Sequence, residues 1–245
     1  MKTNIIYLEE TDSTNRYLKD ISLDASDDIT VVWTTYQTAG KGQGGHKWES
    51  ERGKNLLFSV LLHPVNVPVR KQFILSMAIA LSIKNALTKY TSDLSVKWPN
   101  DIYWQNKKIC GILIENSISS AGFKDCILGP GIDVNQKFFY SDAPNPVSLY
   151  QILNKETDIR QLLDSVIENL TIYLESIYSG EYMNVREEYL ASLYRRDGLY
   201  SYRDMDGEFR AYIKDVTDNG YLVLQNTEGI AKKYAFKEVE YLINK

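Results

Sequence analysis

Lys97-Trp98-Pro99-Asn100-Asp101-Ile102-Tyr103-Trp104-Gln105-Asn106-Lys107-Lys108-Ile109-Cys110-Gly111-Ile112-Leu113-Ile114-Glu115 reads as two strands around a polar turn at Gln105 to Lys107. Leu94 to Trp98 starts the strand character, and Pro99-Asn100-Asp101 bends it. Asp101 by itself is a turn cap; beside a phosphate its carboxylate would instead hold Mg²⁺. Lys108 by itself is an exposed hairpin lysine. Its place matters because the same strand carries Gly111, where a ligand can approach the backbone.

On the N-terminal side, Asn4 to Leu8 reads as a strand and Asp12-Ser13-Thr14-Asn15 as the start of a helix. Ser13, Thr14 and Asn15 are capping residues, or spare hydroxyl and amide groups for a polar ligand head. Ile29 to Tyr36 is a buried strand, rich in β-branched and aromatic residues. Gln37 follows it: a loop residue, or an amide for a ligand entering under the next segment. That segment is Thr38-Ala39-Gly40-Lys41-Gly42-Gln43-Gly44-Gly45-His46-Lys47-Trp48. Its glycines free backbone N–H groups to converge on an anion, and Trp48 offers a flat ring for stacking. A dinucleotide fingerprint requires a helix directly afterwards, whereas Asn55 to Leu62 is another strand. A phosphate loop of the GxxxxGK[ST] type fails for lack of the closing Gly-Lys-Ser/Thr. His46 has no metal-ligand spacing.

Further on, Val69 to Lys89 is a buried helix, apolar on most faces. Asp125 to Leu128 is a strand ending in Gly129-Pro130-Gly131-Ile132-Asp133-Val134-Asn135, and residues 136–148 form a polar loop. Helices are predicted from Thr157 to about Tyr178 and from about Tyr182 to Arg195. After Asp197-Gly198, short alternating runs separated by Asp206-Gly207, Asn219-Gly220 and Glu228-Gly229 carry hairpin signals. They predict a small β-barrel at residues 198–245, appended to a main domain at residues 1–197.

A net charge of −4 in 245 residues supplies no global field for nucleic acid or an acidic membrane. The positive charge of Lys41, Lys47, Arg52 and Lys54 is local. Cys110 and Cys126 lie in apolar runs without a CxxC pair and read as buried free thiols, which fits a reducing cytoplasm. No signal peptide or membrane span is expected.

Taken together and in this order, the glycine segment with Trp48, the complete Lys97-Trp98-Pro99-Asn100-Asp101 and the following Lys108-Ile109-Cys110-Gly111-Ile112-Leu113 resemble the biotin–protein ligases. Asp12 to Asn15 and Gly129 to Asn135 also match that family's pattern. The resemblance implies an α+β fold: a mixed sheet with flanking helices, like class II aminoacyl-tRNA synthetases, plus a small SH3-like C-terminal β-barrel. It implies formation of biotinyl-5′-adenylate from biotin and ATP, then transfer to a lysine of a biotin carboxyl carrier protein. Lys108 would be catalytic, bridging biotin's carboxylate and the α-phosphate. Biotin would be held by Ser13, Thr14, Asn15, Gln37, Gly40, Lys41, Gly42, Gln43, Lys108 and Gly111. ATP would be held by Lys41, Trp48, Asn100, Asp101, Lys108 and Asn135, with Mg²⁺ at Asp101.

The chain departs from the family pattern in two ways. Lys41, Gln43, Gly44 and His46 stand where arginines are usual, which predicts a weaker hold on the adenylate. Asp133 replaces an asparagine, and a carboxylate beside phosphates leaves it outside the expected site. Family members that repress transcription carry a helix-turn-helix in front. None fits before Asn4, so no sequence-specific DNA binding is expected. A homodimer is compatible with the sequence, which does not choose a sheet edge for it. The rival readings are a lipoate–protein ligase and a non-catalytic regulator that binds biotin or nucleotide.

Overall fold

The computed structural model describes residues 1–21, 28–64, 66–120, 122–141 and 143–243. The chain runs β1 (Thr3–Leu8), α1 (Thr14–Asp20), β2 (Ile29–Thr34), β3 (Leu56–Leu62), α2 (Phe73–Leu87), β4 (Leu94–Lys97), β5 (Asp101–Trp104), β6 (Lys107–Ser119) and β7 (Gly122–Ile132). Then come α3 (Leu149–Leu153), α4 (Ile159–Tyr178), α5 (Tyr182–Ala191), β8 (Tyr200–Asp204), β9 (Gly207–Val216), β10 (Leu222–Asn226), β11 (Ala231–Tyr234) and β12 (Glu240–Tyr241).

The main sheet has the order β1-β2-β3-β7-β6-β5-β4; β1 and β2 are parallel, and every other pairing is antiparallel. Successive strand residues point to opposite faces, and this alternation builds two cores. Val31, Val60, Leu62 and Leu128 face the large core shared with α2 and α4. Val32, Leu61 and Ile127 face a small cluster closed by Leu18 of α1. The α2 helix is buried on nearly all sides, as its composition predicts, and packs against α4 and α5. By contrast α1 has only seven residues and contacts β2, β3 and β7. It therefore covers only part of its face, and the sheet around β6 and β5 is left for the site.

Four boundaries differ from the sequence reading. First, β7 does not stop at Leu128 but continues to Ile132, through Pro130. The β3–β7 ladder is interrupted between Leu57↔Gly131 and Val60↔Leu128, where Pro130 has no N–H to donate. Second, α5 ends at Ala191 rather than near Arg195, because the chain leaves to pair with β4: Val96 N–H donates to Ser192 O (2.8 Å) and Tyr194 N–H to Val96 O (2.8 Å). Third, residues 136–141 and 143–148 are a loop, but the short helix α3 follows unpredicted, opened by a Ser148/Gln151 capping box. Fourth, Val69–Lys71 forms a separate 3₁₀ turn before α2.

The C-terminal strands pair in the order β11-β10-β9-β8-β12, with hairpins at the three predicted Gly turns. Among the described residues no ladder closes this sheet into the expected barrel. Its apolar side does not form a separate core: Tyr202, Ala211, Ile213 and Leu222 belong to the same buried cluster as Trp98 and Tyr189. Residues 244 and 245 of the expected C-terminal unit lie outside the described residues.

Candidate active site

The site begins with a row of paired residues across three strands. Asp101 of β5 faces Gly111 of β6, which faces Gly131 of β7. One irregularity brings Lys108 into this row. Ile102 pairs with Cys110 but Tyr103 pairs with Lys108, so Ile109 is an inserted residue. Such a bulge re-aims the side chains beyond it. Without it Lys108 would point away from Gly111; with it, Lys108 Nζ lies 2.8 Å from Asp101 Oδ1 on the same face. The backbone of Lys108 is held from outside the sheet, its N–H donating to Asn145 O (2.8 Å) and its carbonyl accepting from Val147 N–H (2.9 Å).

Gly111 and Gly131 make a floor without side chains. A Cβ on Gly131 would come 2.7 Å from Trp48 Cε2 and Nε1, and one on Gly111 would come 2.9 Å from Trp48 Cζ3 and 3.0 Å from Lys108 Nζ. The indole therefore rests directly on the two glycines. Lys108 Nζ is 5.6 Å from its ring centroid, within cation–π range. Trp48 Nε1 is buried without a hydrogen-bond partner. Buried donors are rarely left unpaired, and an acceptor on a bound molecule would satisfy this one.

The glycine loop forms a small hairpin over this floor. Lys41 and Lys47 bridge antiparallel, Gly42 N–H donates to His46 O (2.7 Å), and Trp48 N–H donates to Gly40 O (3.1 Å). Its tip, Gln43–Gly45, is a 3₁₀ turn in which Gly44 and Gly45 have φ of 72° and 86°. Side-chain residues rarely adopt that region. Asn100 Nδ2 lies 3.5 Å from Gln43 Oε1 and also donates to Ile112 O, which pins the bend after Pro99 beneath the loop.

Ser13, Thr14 and Asn15 are buried at the start of α1. Ser13 occupies the cap position but makes no side-chain cap bond. Gln37 caps the helix instead, its Oε1 accepting from Thr14 N–H (2.7 Å) and Thr14 Oγ1 (3.1 Å). The oxygen of Gln37 is thereby used within the protein. Its Nε2 end faces Gly40. The Ser59 hydroxyl of β3 donates its one proton to Asn15 Oδ1 (2.5 Å), which can only accept, and lies 2.6 Å from Thr14 Oγ1, while Asn15 Nδ2 donates to Glu115 (2.8 Å). Burial alone would raise the Glu115 carboxyl, but hydrogen bonds from Lys19 and Asn15 outweigh it and hold the group below its ordinary value. Ser59 and Glu115 were missed from sequence; the available signal was a polar residue inside an apolar strand.

Two further residues take other places. Asn135 does not join the row: its amide accepts from Thr157 N–H (2.8 Å) and donates to Thr157 O (2.9 Å), so both ends are used on the backbone. Asp133, left out of the expected site, is buried, with N–H on Ile109 O (2.9 Å) and one carboxyl oxygen unpaired. Burial pushes its carboxyl well above the usual range, although Lys108 opposes the shift. Burial likewise lowers the Lys97 ammonium, which lies 4.9 Å from the Tyr241 ring centroid. Cys110 and Cys126 are buried free thiols as expected, and burial raises both. Among the described residues no cluster of three His, Cys, Asp or Glu side chains could hold a metal.

Residues 7–133 match the model of the biotin/lipoate A/B protein ligase family. The chain belongs to this family. It is 27% identical over 246 residues to a bifunctional ligase/repressor of Bacillus subtilis, covering 96% of this chain and 73% of the relative. It is 25% identical to a biotin–[acetyl-CoA-carboxylase] ligase of Paracoccus denitrificans, covering 91% and 94%. Among solved structures, the biotin protein ligase of Aquifex aeolicus in complex with biotin and ATP superposes with a TM-score of 0.80 at 27% identity, covering 97% of both chains. The segment matched by the family model contains α1, the glycine loop and the Asp101–Gly111–Gly131 row.

Proposed function

We propose that this protein is a biotin–protein ligase that activates biotin with ATP and transfers it to a lysine of a biotin carboxyl carrier protein. The observation that carries this reading is the placement of Lys108 over the Gly111–Gly131 floor, beside Trp48. In the first step a carboxylate oxygen of biotin attacks the α-phosphorus of ATP. The bond to the bridging oxygen breaks, pyrophosphate leaves, and biotinyl-5′-adenylate remains. In the second step the neutral lysine amine of the carrier attacks the acyl carbon. The acyl–oxygen bond breaks, AMP leaves, and the amine loses a proton as the amide forms.

The first step joins two anions, so it needs a positive charge already in position where they meet. Lys108 meets that need because the bulge aims it and Asp101 holds its ammonium. Trp48 rests one face on the glycine floor, and its other face is the platform for the adenine. Thr14 and Asn15, locked by Ser59, present the polar end of the biotin pocket, with Ser13 and Gln37 beside them. Gly40 to Gln43 close over the adenylate, Lys41 adds charge, and water is kept from a reactive anhydride. Asn100 braces the tip of this loop.

Asp101 is paired with Lys108, and among the described residues no group of three His, Cys, Asp or Glu side chains could hold a metal ion, which does not fit a metal site built by the protein. Magnesium would arrive on the ATP phosphates, as that ion prefers, and no step is assigned to it. The C-terminal sheet corresponds to an SH3-like module beside a class II synthetase-like sheet. The free edge of β1 is where a second subunit would add a strand. No helix among the described residues is long and apolar enough to cross a membrane, and a cytoplasmic location goes with the carrier substrate.

Biotin-dependent exchange of labelled pyrophosphate into ATP tests the reading. Exchange that needs lipoate in place of biotin moves the assignment to lipoate–protein ligation. Biotin binding without exchange makes the protein a non-catalytic regulator.

A further inference from the structure

The tip of the glycine loop is touched from two sides. Asn100 meets it from the bend after β4, and Lys237 meets it from the C-terminal sheet. A Cβ on Gly44 would overlap Lys237 Nζ and come 3.1 Å from Cε, so the lysine side chain lies across the tip. Lys237 has φ of 70° in the turn between β11 and β12, a conformation uncommon for a side-chain residue. Its ammonium lies 5.7 Å from the Phe236 ring centroid and makes no ion pair among the described residues. The lysine two turns of chain earlier, Lys232, is by contrast bound to Asp204 and Asp206. Lys237 is thus an uncommitted cation pointed at the loop.

Its mounting is firm. Trp98 Nε1 donates to Gly220 O (2.9 Å), Arg186 pairs with Asp215 (2.5 Å), and Arg195 Nη2 donates to Leu242 O (3.0 Å). Trp98 precedes the bend that carries Asn100, so this bend is itself tied to the C-terminal sheet. A side chain presented by such a braced element can hold a mobile partner in register.

We infer that Lys237 is a positioning residue: it latches the closed glycine loop at Gly44 and supplies, from the C-terminal sheet, a positive charge that the loop tip lacks. The tip itself, Gln43-Gly44-Gly45, is uncharged. This rests on the adenylate-forming reading above for its consequence, but not for the latch itself. Lys237 does not reach the reacting atoms; it acts through the loop.

Two measurements on the full chain separate the parts. Lys41 and Lys47 are exposed in the loop, so trypsin reports its opening directly. Without any ligand, Lys237→Ala should be cut at these sites several-fold faster than wild type, with an unchanged melting temperature. Equal cleavage rates overturn the latch, whatever the enzyme does. With biotin and ATP, Lys237→Ala should release preformed adenylate about tenfold faster, as expected for loss of one charge-assisted contact, at unchanged KM for biotin. Lys237→Arg should restore retention, and Lys237→Glu should be worse than alanine. Equal release in wild type and alanine variant, or failure of arginine to restore it, removes the charge role. Absence of adenylate in the wild type refutes the proposed function and leaves the trypsin result standing alone.

Discussion

Trp48 lies on Gly131 so closely that a single methyl group would come 2.7 Å from the indole Nε1. The stacking platform therefore depends on a residue 83 positions away in sequence having no side chain. Gly131→Ala should lift the ring off the sheet. Displacements of about 1 Å cost about a hundredfold in well-ordered sites, so kcat/KM for ATP should fall by about ten- to a hundredfold. Biotin affinity should change far less, because Thr14 and Asn15 are held independently by Ser59. Isothermal titration with each substrate reads the split; equal losses for both would mean Trp48 does not serve the nucleotide.

In the proposed reaction Lys108 is the group on which the chemistry turns. Lys108→Ala should reduce pyrophosphate exchange by about a hundred- to a thousandfold, the usual cost of losing one contact to developing charge. Near-normal exchange in this variant would leave the central assignment without support. Asp101→Asn frees the ammonium from its 2.8 Å partner and should cost less than loss of the lysine itself.

Ser59 donates to Asn15 and meets the Thr14 hydroxyl from a strand that is otherwise apolar. Ser59→Ala leaves the buried Asn15 Oδ1 short of a donor, at a cost of about 1–3 kcal/mol. Urea unfolding should show that loss, and KM for biotin should rise while KM for ATP holds. A variant with unchanged stability and unchanged biotin KM would show that the triad is not coupled.

Asp133 links stability to pH. Burial raises its carboxyl well above the usual carboxylate range. The folded protein therefore keeps this proton to higher pH than the unfolded chain, whose aspartates titrate near about 3.9. Its contribution to stability is fully present below that value and is lost as pH rises through the folded value. Asp133→Asn removes the dependence and should raise the melting temperature at pH 8 by more than at pH 5. Parallel melting curves for the two proteins across this range would argue against a buried neutral acid.

Much of the frame was legible because it is local. The alternation in β2 and β3, the apolar surface of α2 and the Gly turns of the C-terminal strands follow from side-chain chemistry over a few residues. The helix α3 was legible too: a Ser148-x-x-Gln151 capping box stands in the sequence, starting on the last residue of the polar loop. Pro130 led the other way. It made β7 look finished at Leu128, although a break in one ladder accommodates it.

The residue types of the site, from Ser13 to Gly131, were visible as chemistry without position. Which of them work together was a matter of long-range pairing. Side chains alternate along a strand with a period of two, so one inserted residue, Ile109, decides whether Lys108 faces Gly111 or the opposite side. Nothing within the stretch Lys107 to Gly111 announces that insertion; it exists only against the register of β5. The same holds for Gln37 and Asn135, whose amides are claimed by Thr14 and Thr157 across 23 and 22 residues of chain. It holds also for Lys237, brought to Gly44 by the packing of two sheets on a shared core. Local chemistry sets which elements form and what a side chain is able to do. Register and packing set which neighbours it meets, because those energies belong to residues far apart in the chain.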